Sequence, residues 1–200
     1  HCINKLFLLP LIIAGAACST MTAASGKTKE MILANGLKVI VRQDDRAPVV
    51  VSQIWYKVGS YDEIRGSTGL SHALEHMMFK GTKTVKSGDF SKRVAAMGGR
   101  ENAFTSMDYT AYFQQIERSK LAEVMRLEAD RMNNLNFDDA EFAKEIQVVM
   151  EERRLRTEDK ASGLLYENLM ATAYKATPYR HPIIGWMNDL ENMVPNDARQ

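Results

Sequence analysis

Five residues, His72-Ala73-Leu74-Glu75-His76, are the part of this 200-residue chain best suited to chemistry. On a helix, positions four apart lie one above the other, so His72 and His76 can offer two imidazoles to one metal ion. Glu75 lies one residue from His76 and three from His72 and projects beside the same ion. A base is needed there to take a proton from a zinc-bound water, whose pKa zinc lowers toward about 7. The competing reading is two surface histidines on an amphipathic helix, with Glu75 as a solvated charge. Against it, Leu70, Leu74, Met77, Met78 and Phe79 surround the motif and imply a largely buried helix. A buried histidine pair needs a partner. The chain has only His181 as a further histidine beyond its first residue.

A catalytic zinc site takes three protein ligands and keeps one position open. His181 falls in a loop between Arg180 and Pro182, and the two cysteines, Cys2 and Cys18, both lie near the N-terminus. The third ligand is therefore expected to be a carboxylate. Residues 145–152 offer Glu145 and Glu152, two helical turns apart on a shared face, with Val148 and Val149 between them on that side. Glu151 is a further candidate. Otherwise Glu151, Arg153, Arg154 and Arg156 read as a solvated charge run.

The elements that must position these residues follow from local patterning. Met31-Ile32-Leu33, then Asn35-Gly36, then residues 37–41 predict a β-hairpin, the Asn-Gly pair supplying the positive φ angles of its tight turn. Residues 49–58, rich in β-branched and aromatic side chains, predict a central strand. Residues 59–69 read as a loop, and helical spacing begins near Leu70. A second helix is expected over 87–97, ending at Gly98-Gly99, with strands over 101–105 and 109–115. Residues 120–133 predict a helix offering Leu121, Val124, Met125 and Met132 to a core. Further helices are expected from Asp138 to about Arg156 and over 163–174. Strands and helices do not alternate, so the fold class is α+β, a mixed or antiparallel sheet packed against helices.

Composition narrows the rest. With 26 basic and 25 acidic residues there is no basic excess of the kind a nucleic-acid partner requires. Twelve methionines read as adaptable core filler. Residues 6–17 form an apolar run after Lys5, too short to span a bilayer and of signal-peptide length. Ala16-Ala17-Cys18 resembles a lipoprotein cleavage site, after which Cys18 would carry lipid; the plain alternative is cleavage near Ala24. Either way the protein is expected to be exported, periplasmic or membrane-anchored, with residues 1–24 as signal and 25–200 as the functional domain. The chain opens at His1 and closes on residues 195–200, which read as a loop entering a helix, so an excerpt of a longer protein is expected.

The pattern His-x-x-Glu-His identifies the inverzincins, and the surrounding chain resembles the N-terminal catalytic domain of the pitrilysin-like zinc metallopeptidases. The resemblance runs from about Lys29 to Gln200. It rests on Gly59-Ser60-Tyr61-Asp62-Glu63, Gly69-Leu70-Ser71 before the motif, Phe79-Lys80-Gly81-Thr82 after it, Gly98-Gly99, Asn102-Ala103-Phe104-Thr105, and the downstream glutamates. It implies one Zn2+ per domain held by His72, His76 and Glu152, with Glu75 activating water and Glu145 as a carboxylate behind the ligands. It also implies an edge strand at which Asn102 and the Ala103 carbonyl hold a peptide substrate's backbone while Phe104 lines a side-chain pocket. Residues 179–186 take a structural role. The family's active site closes between two halves of a clamshell. The second half, on a longer chain or a partner subunit, supplies Arg and Tyr to the transition state, and no residue here is assigned to those roles. The alternatives are a noncatalytic partner subunit, known in the family by a broken motif, and a peptide-binding or structural exported lipoprotein.

Overall fold

The computed structural model describes residues 28–199 and divides into two units, split between Ala47 and Pro48. The expected signal segment, its cleavage site and Cys18 lie outside the described residues. In the first unit, β1 (Thr28–Ile32) and β2 (Lys38–Arg42) pair antiparallel with Glu30 opposite Ile40. The expected hairpin is present, but its turn differs. Only Gly36 takes a positive φ, 86°. The Leu33 N–H donates to the Leu37 carbonyl at 2.9 Å, which closes a longer loop than a two-residue turn. Asn35 contributes through its side chain, whose Oδ1 accepts from the Leu37 N–H at 3.2 Å.

The second unit is built on an antiparallel sheet of β3 (Val49–Tyr56), β4 (Arg100–Thr105) and β5 (Thr110–Glu117), in the order β3–β5–β4. The centre is thus β5, not the 49–58 run. Along β5 all but Phe113, Gln115 and Glu117 are buried, whereas β3 alternates, with Val49, Val51 and Trp55 exposed. The β-branched content of β3 serves its pleat without burying both faces.

Among the described residues, six helices lie in the second unit and make the fold α+β: α1 (Leu70–Met77), α2 (Asp89–Ala96), α3 (Leu121–Asn134), α4 (Asp139–Arg153), α5 (Ala161–Ala173) and α6 (Met187–Asn192). One core joins Ala73 and Met77 of α1 to Phe142, Ile146, Val149 and Met150 of α4 and Leu190 of α6. A second joins Phe90 and Val94 of α2 to Ile116 of β5 and Val124 and Leu127 of α3. Met125 and Met132, expected in a core, are exposed. The inward stripe of α3 is Val124, Leu127, Glu128 and Arg131, spaced three and four apart, which turns Met125 and Met132 outward. Arg131 is 1% exposed. Its guanidinium bonds Glu128 at 2.6 Å and lies 4.3, 4.5 and 5.1 Å from the ring centres of Phe90, Tyr112 and Phe79.

Asp138 caps α4, its carboxylate accepting the Glu141 N–H at 2.7 Å. The α-helix stops at Arg153, short of the expected Arg156, and Arg154–Glu158 continue as one π-helical turn. Its signature is the Asp159 N–H donating to the Arg154 carbonyl at 2.8 Å.

Arg153 corrects the solvated-charge reading, for it is only 4% exposed. Its guanidinium donates to both oxygens of Glu167 on α5, at 2.7 and 3.0 Å, and to the Gly185 carbonyl at 2.9 Å. Breaking a buried pair leaves the partner charge without compensation, at about 3–5 kcal/mol. Arg153→Met is therefore expected to lower unfolding stability by that order in a denaturant titration. Glu151 and Arg154, by contrast, are exposed and pair with each other at 3.1 Å, as a solvated run would.

Candidate metal centre

The start of α1 is held from outside the helix. Gly69 has φ 88°, and a Cβ there would lie 2.6 Å from the Ile184 carbonyl oxygen, so only glycine permits both the turn and the close approach. The free N–H groups of Gly69 and Ser71 donate to Glu63 Oε2 and Oε1 at 2.8 and 2.7 Å. A carboxylate at a helix N-terminus satisfies orphan donors and complements the dipole. Burial raises the Glu63 pKa, while those same N–H bonds pull it down. The helix that begins here presents His72 one residue after Ser71.

Packing of Ala73 and Met77 against Phe142, Ile146 and Val149 sets α1 face to face with α4. Glu145 and Glu152 then stand opposite the two histidines. Val149 lies in the contact, but Val148, expected beside it, is half exposed. Glu152 Oε2 is 3.3 Å from His76 Nε2 and 3.8 Å from His72 Nε2. One ligand atom from each of His72, His76 and Glu152 falls within 4.8 Å of the others. On the other ring nitrogen of His76, Nδ1, Glu145 Oε1 sits at 2.8 Å, and Lys80 Nζ bonds Glu145 Oε2. Glu151 is turned to Arg154 and takes no part.

The protonation states fit a cation. Burial, with the charges of His76 and Arg156 beside it, pushes His72 down to about 3, so its imidazole is neutral at neutral pH. For His76 burial pulls down, but the bond to Glu145 and the surrounding carboxylates outweigh it and raise the pKa. Burial pushes Glu145 up, yet its bonds from His76 and Lys80 hold it below the ordinary range. Among the described residues, none hydrogen-bonds the buried His72 Nδ1. Two Nε2 atoms and a carboxylate oxygen thus converge in a surrounding of carboxylates that favours positive charge between them. The donor set, two imidazoles and one carboxylate, matches zinc. The Glu145 bond to Nδ1 selects the tautomer that leaves Nε2 for metal.

Glu75 is buried beside this cluster, and burial raises its pKa. Its Oε2 accepts a hydrogen bond from Thr105 Oγ1 at 2.5 Å, which pulls the pKa the other way. The cluster and Glu75 open on one cleft of about 620 Å³. Asn102, Ala103 and Phe104 line it from β4, an outer strand of its sheet. Strand alternation puts Ala103 and Thr105 on the face of Glu75, and Asn102 and Phe104 on the other. The Phe104 ring packs edge-on to Trp55 at 5.6 Å and against Tyr109 at 6.1 Å. Asn102 Oδ1 accepts from the Ala103 N–H at 2.9 Å. His181, read as structural, also lines the cleft, its Nδ1 accepting from Trp186 Nε1 at 3.2 Å.

Three residues of the site escaped sequence reasoning. Lys80 bonds Glu145 from beyond the end of α1. Arg156 is exposed, as a solvated run would be, but it also pairs with Glu152 Oε1 at 2.6 Å, four residues back, and lines the cleft. Thr105 was legible in principle, being on the same strand face as Ala103.

The family described as Insulinase (Peptidase family M16) matches residues 38–186. The chain belongs to peptidase family M16. This M16 chain is 41% identical over 175 residues to a zinc protease, PqqE, of Helicobacter pylori, covering 87% of the chain and 39% of that relative. It is 28% identical to cytochrome b-c1 complex subunit 1 of Rattus norvegicus, over 96% of the chain and 40% of the relative. A crystal structure of a protease from Helicobacter pylori superposes with a TM-score of 0.85 at 40% identity, covering 88% of the M16 chain and 42% of that protein. The M16 chain spans about two fifths of the length of the relatives it matches.

Proposed function

We propose that the chain is the metal-binding, water-activating half of a zinc metalloendopeptidase that hydrolyses small or unfolded polypeptides. The observation that carries this is the convergence of His72 Nε2, His76 Nε2 and Glu152 Oε2 beside a buried carboxylate, Glu75, at the rim of an open strand. A zinc ion held there supplies Lewis acidity and lowers the pKa of water in its open position to about 7. His72 and His76 are the ligands on α1, and Glu152 closes the set from α4. Glu75, its basicity raised by burial, accepts the proton from the attacking water and returns it to the leaving amine. The outer edge of β4 pairs the peptide backbone as an added strand, which gives affinity without much sequence preference. A second M16 half, on the same longer chain or on a partner subunit, completes the site. Export, with lipid on Cys18 or free release to the periplasm, rests on residues 6–18 alone.

The noncatalytic partner reading draws on the likeness to cytochrome b-c1 complex subunit 1, whose name carries no protease. Metal analysis and peptide hydrolysis on the full-length protein separate the two. The expected result is one zinc per M16 domain of this type, with cleavage of an unstructured peptide that a chelator stops and zinc restores. Zinc without cleavage favours the partner subunit, and no zinc after reconstitution removes the metallopeptidase.

A further inference from the structure

We infer that Thr105 is a positioning residue for the general base, holding the Glu75 carboxylate by one oxygen so that the other is left to meet water. The inference rests on the metallopeptidase reading above and adds a residue to it. Among the described residues, the bond from Thr105 Oγ1 to Glu75 Oε2, at 2.5 Å, is the only hydrogen bond that reaches this carboxylate. A glutamate side chain without such an anchor samples several rotamers. Threonine is stiff at χ1, which suits it to aim a hydroxyl from a strand.

The platform beneath Thr105 is braced on both sides. It stands opposite Thr110 in the β4–β5 register, and the Thr110 hydroxyl donates to the Val58 carbonyl at 3.0 Å. Just past the strand, the Ser106 N–H donates to the Tyr109 carbonyl at 2.8 Å. The Met107 carbonyl in turn accepts from the Tyr61 N–H at 2.8 Å. A catalytic group held through a supported neighbour on a strand is better aimed than one held from a loop. Thr105 also closes β4, the strand offered to the substrate, so the base and the peptide are registered against the same element. The bland alternative is a hydroxyl that merely satisfies a buried carboxylate. That role would matter to stability and not selectively to turnover.

The test compares the full-length protein with its Thr105→Val and Thr105→Ser variants, each loaded with zinc, on one unstructured peptide. Valine keeps the shape and branching but removes the O–H, and serine keeps the O–H. The expected result is a kcat about 10–100-fold lower for Thr105→Val. KM should move by less than about twofold, the pattern for an interaction spent on the chemical step. Zinc content should equal that of the unmodified protein, and Thr105→Ser should recover most of kcat. An unchanged kcat in Thr105→Val overturns the inference. So does a loss shared by zinc content and KM, or a serine variant as slow as the valine one. An unmodified protein that holds zinc and cleaves no peptide overturns the metallopeptidase reading itself, and that result is separate from all three.

Discussion

Glu152→Gln is expected to leave a folded protein that no longer holds zinc at stoichiometry. The carboxylate is the only non-histidine member of the converging set, and its Oε2 faces both Nε2 atoms. An amide oxygen carries no charge, so the variant keeps the shape and loses the attraction. Supporting residues that only bond a ligand are worth about 10–100-fold in metal affinity, and a ligand itself is worth more than about a hundredfold. Competition with a chromophoric chelator reads this directly. Glu145→Gln is the informative control. Its amide oxygen can still accept from His76 Nδ1, so the loss there should be nearer about tenfold. Equal losses in the two variants would mean that Glu145 and Glu152 share the metal, against the geometry in which Glu145 sits on the far nitrogen of His76.

Glu75→Gln is expected to show the opposite signature, with zinc retained and turnover lost. Glu75 is one residue from His76, but it bonds Thr105 and not the histidines. Glutamine can still accept the Thr105 hydrogen bond, and it cannot accept a proton from water. General-base catalysis is worth about 10²–10⁴ in rate, so kcat on the full-length protein should fall by that order with zinc content unchanged. A variant that loses zinc and activity together would place Glu75 among the ligands. A variant that loses neither would move the base elsewhere.

Much of this site is local, and what is local was legible. Two histidines four apart on a helix share a face whatever the rest of the chain does, and the place of Glu75 beside them is set by the same geometry. The pairing of Glu145 with Glu152 is likewise one helix read at a seven-residue interval. The limits appear where a direction depends on a neighbour. Val148 and Val149 are adjacent in sequence, and only packing against α1 decided that Val149 goes inward. Met125 and Met132 are apolar, yet the stripe through Arg131 turned them outward.

The arginines after Glu152 make the same point for charge. Arg153, Arg154 and Arg156 are indistinguishable in a run of charges, yet Arg153 ends in a core while Arg154 and Arg156 stay in solvent, Arg156 at the mouth of the cleft. Arg153 went inward because Glu167, from the next helix, and the Gly185 carbonyl satisfy it there. Arg156 stays exposed and pairs with Glu152 four residues back, at the mouth of the cleft.

The sequence by itself determined the motif, the element that carries it, the α+β class and the type of metal donor, because helical periodicity and ligand chemistry act over a few residues. Only the tertiary structure decided which strand is central and which carboxylate oxygen faces the histidines. It also decided that Thr105, thirty residues from Glu75 in the chain, is the group that hydrogen-bonds its carboxylate. Those are contacts between elements distant in sequence, and their energies depend on how the cores between α1, α4 and the sheet close.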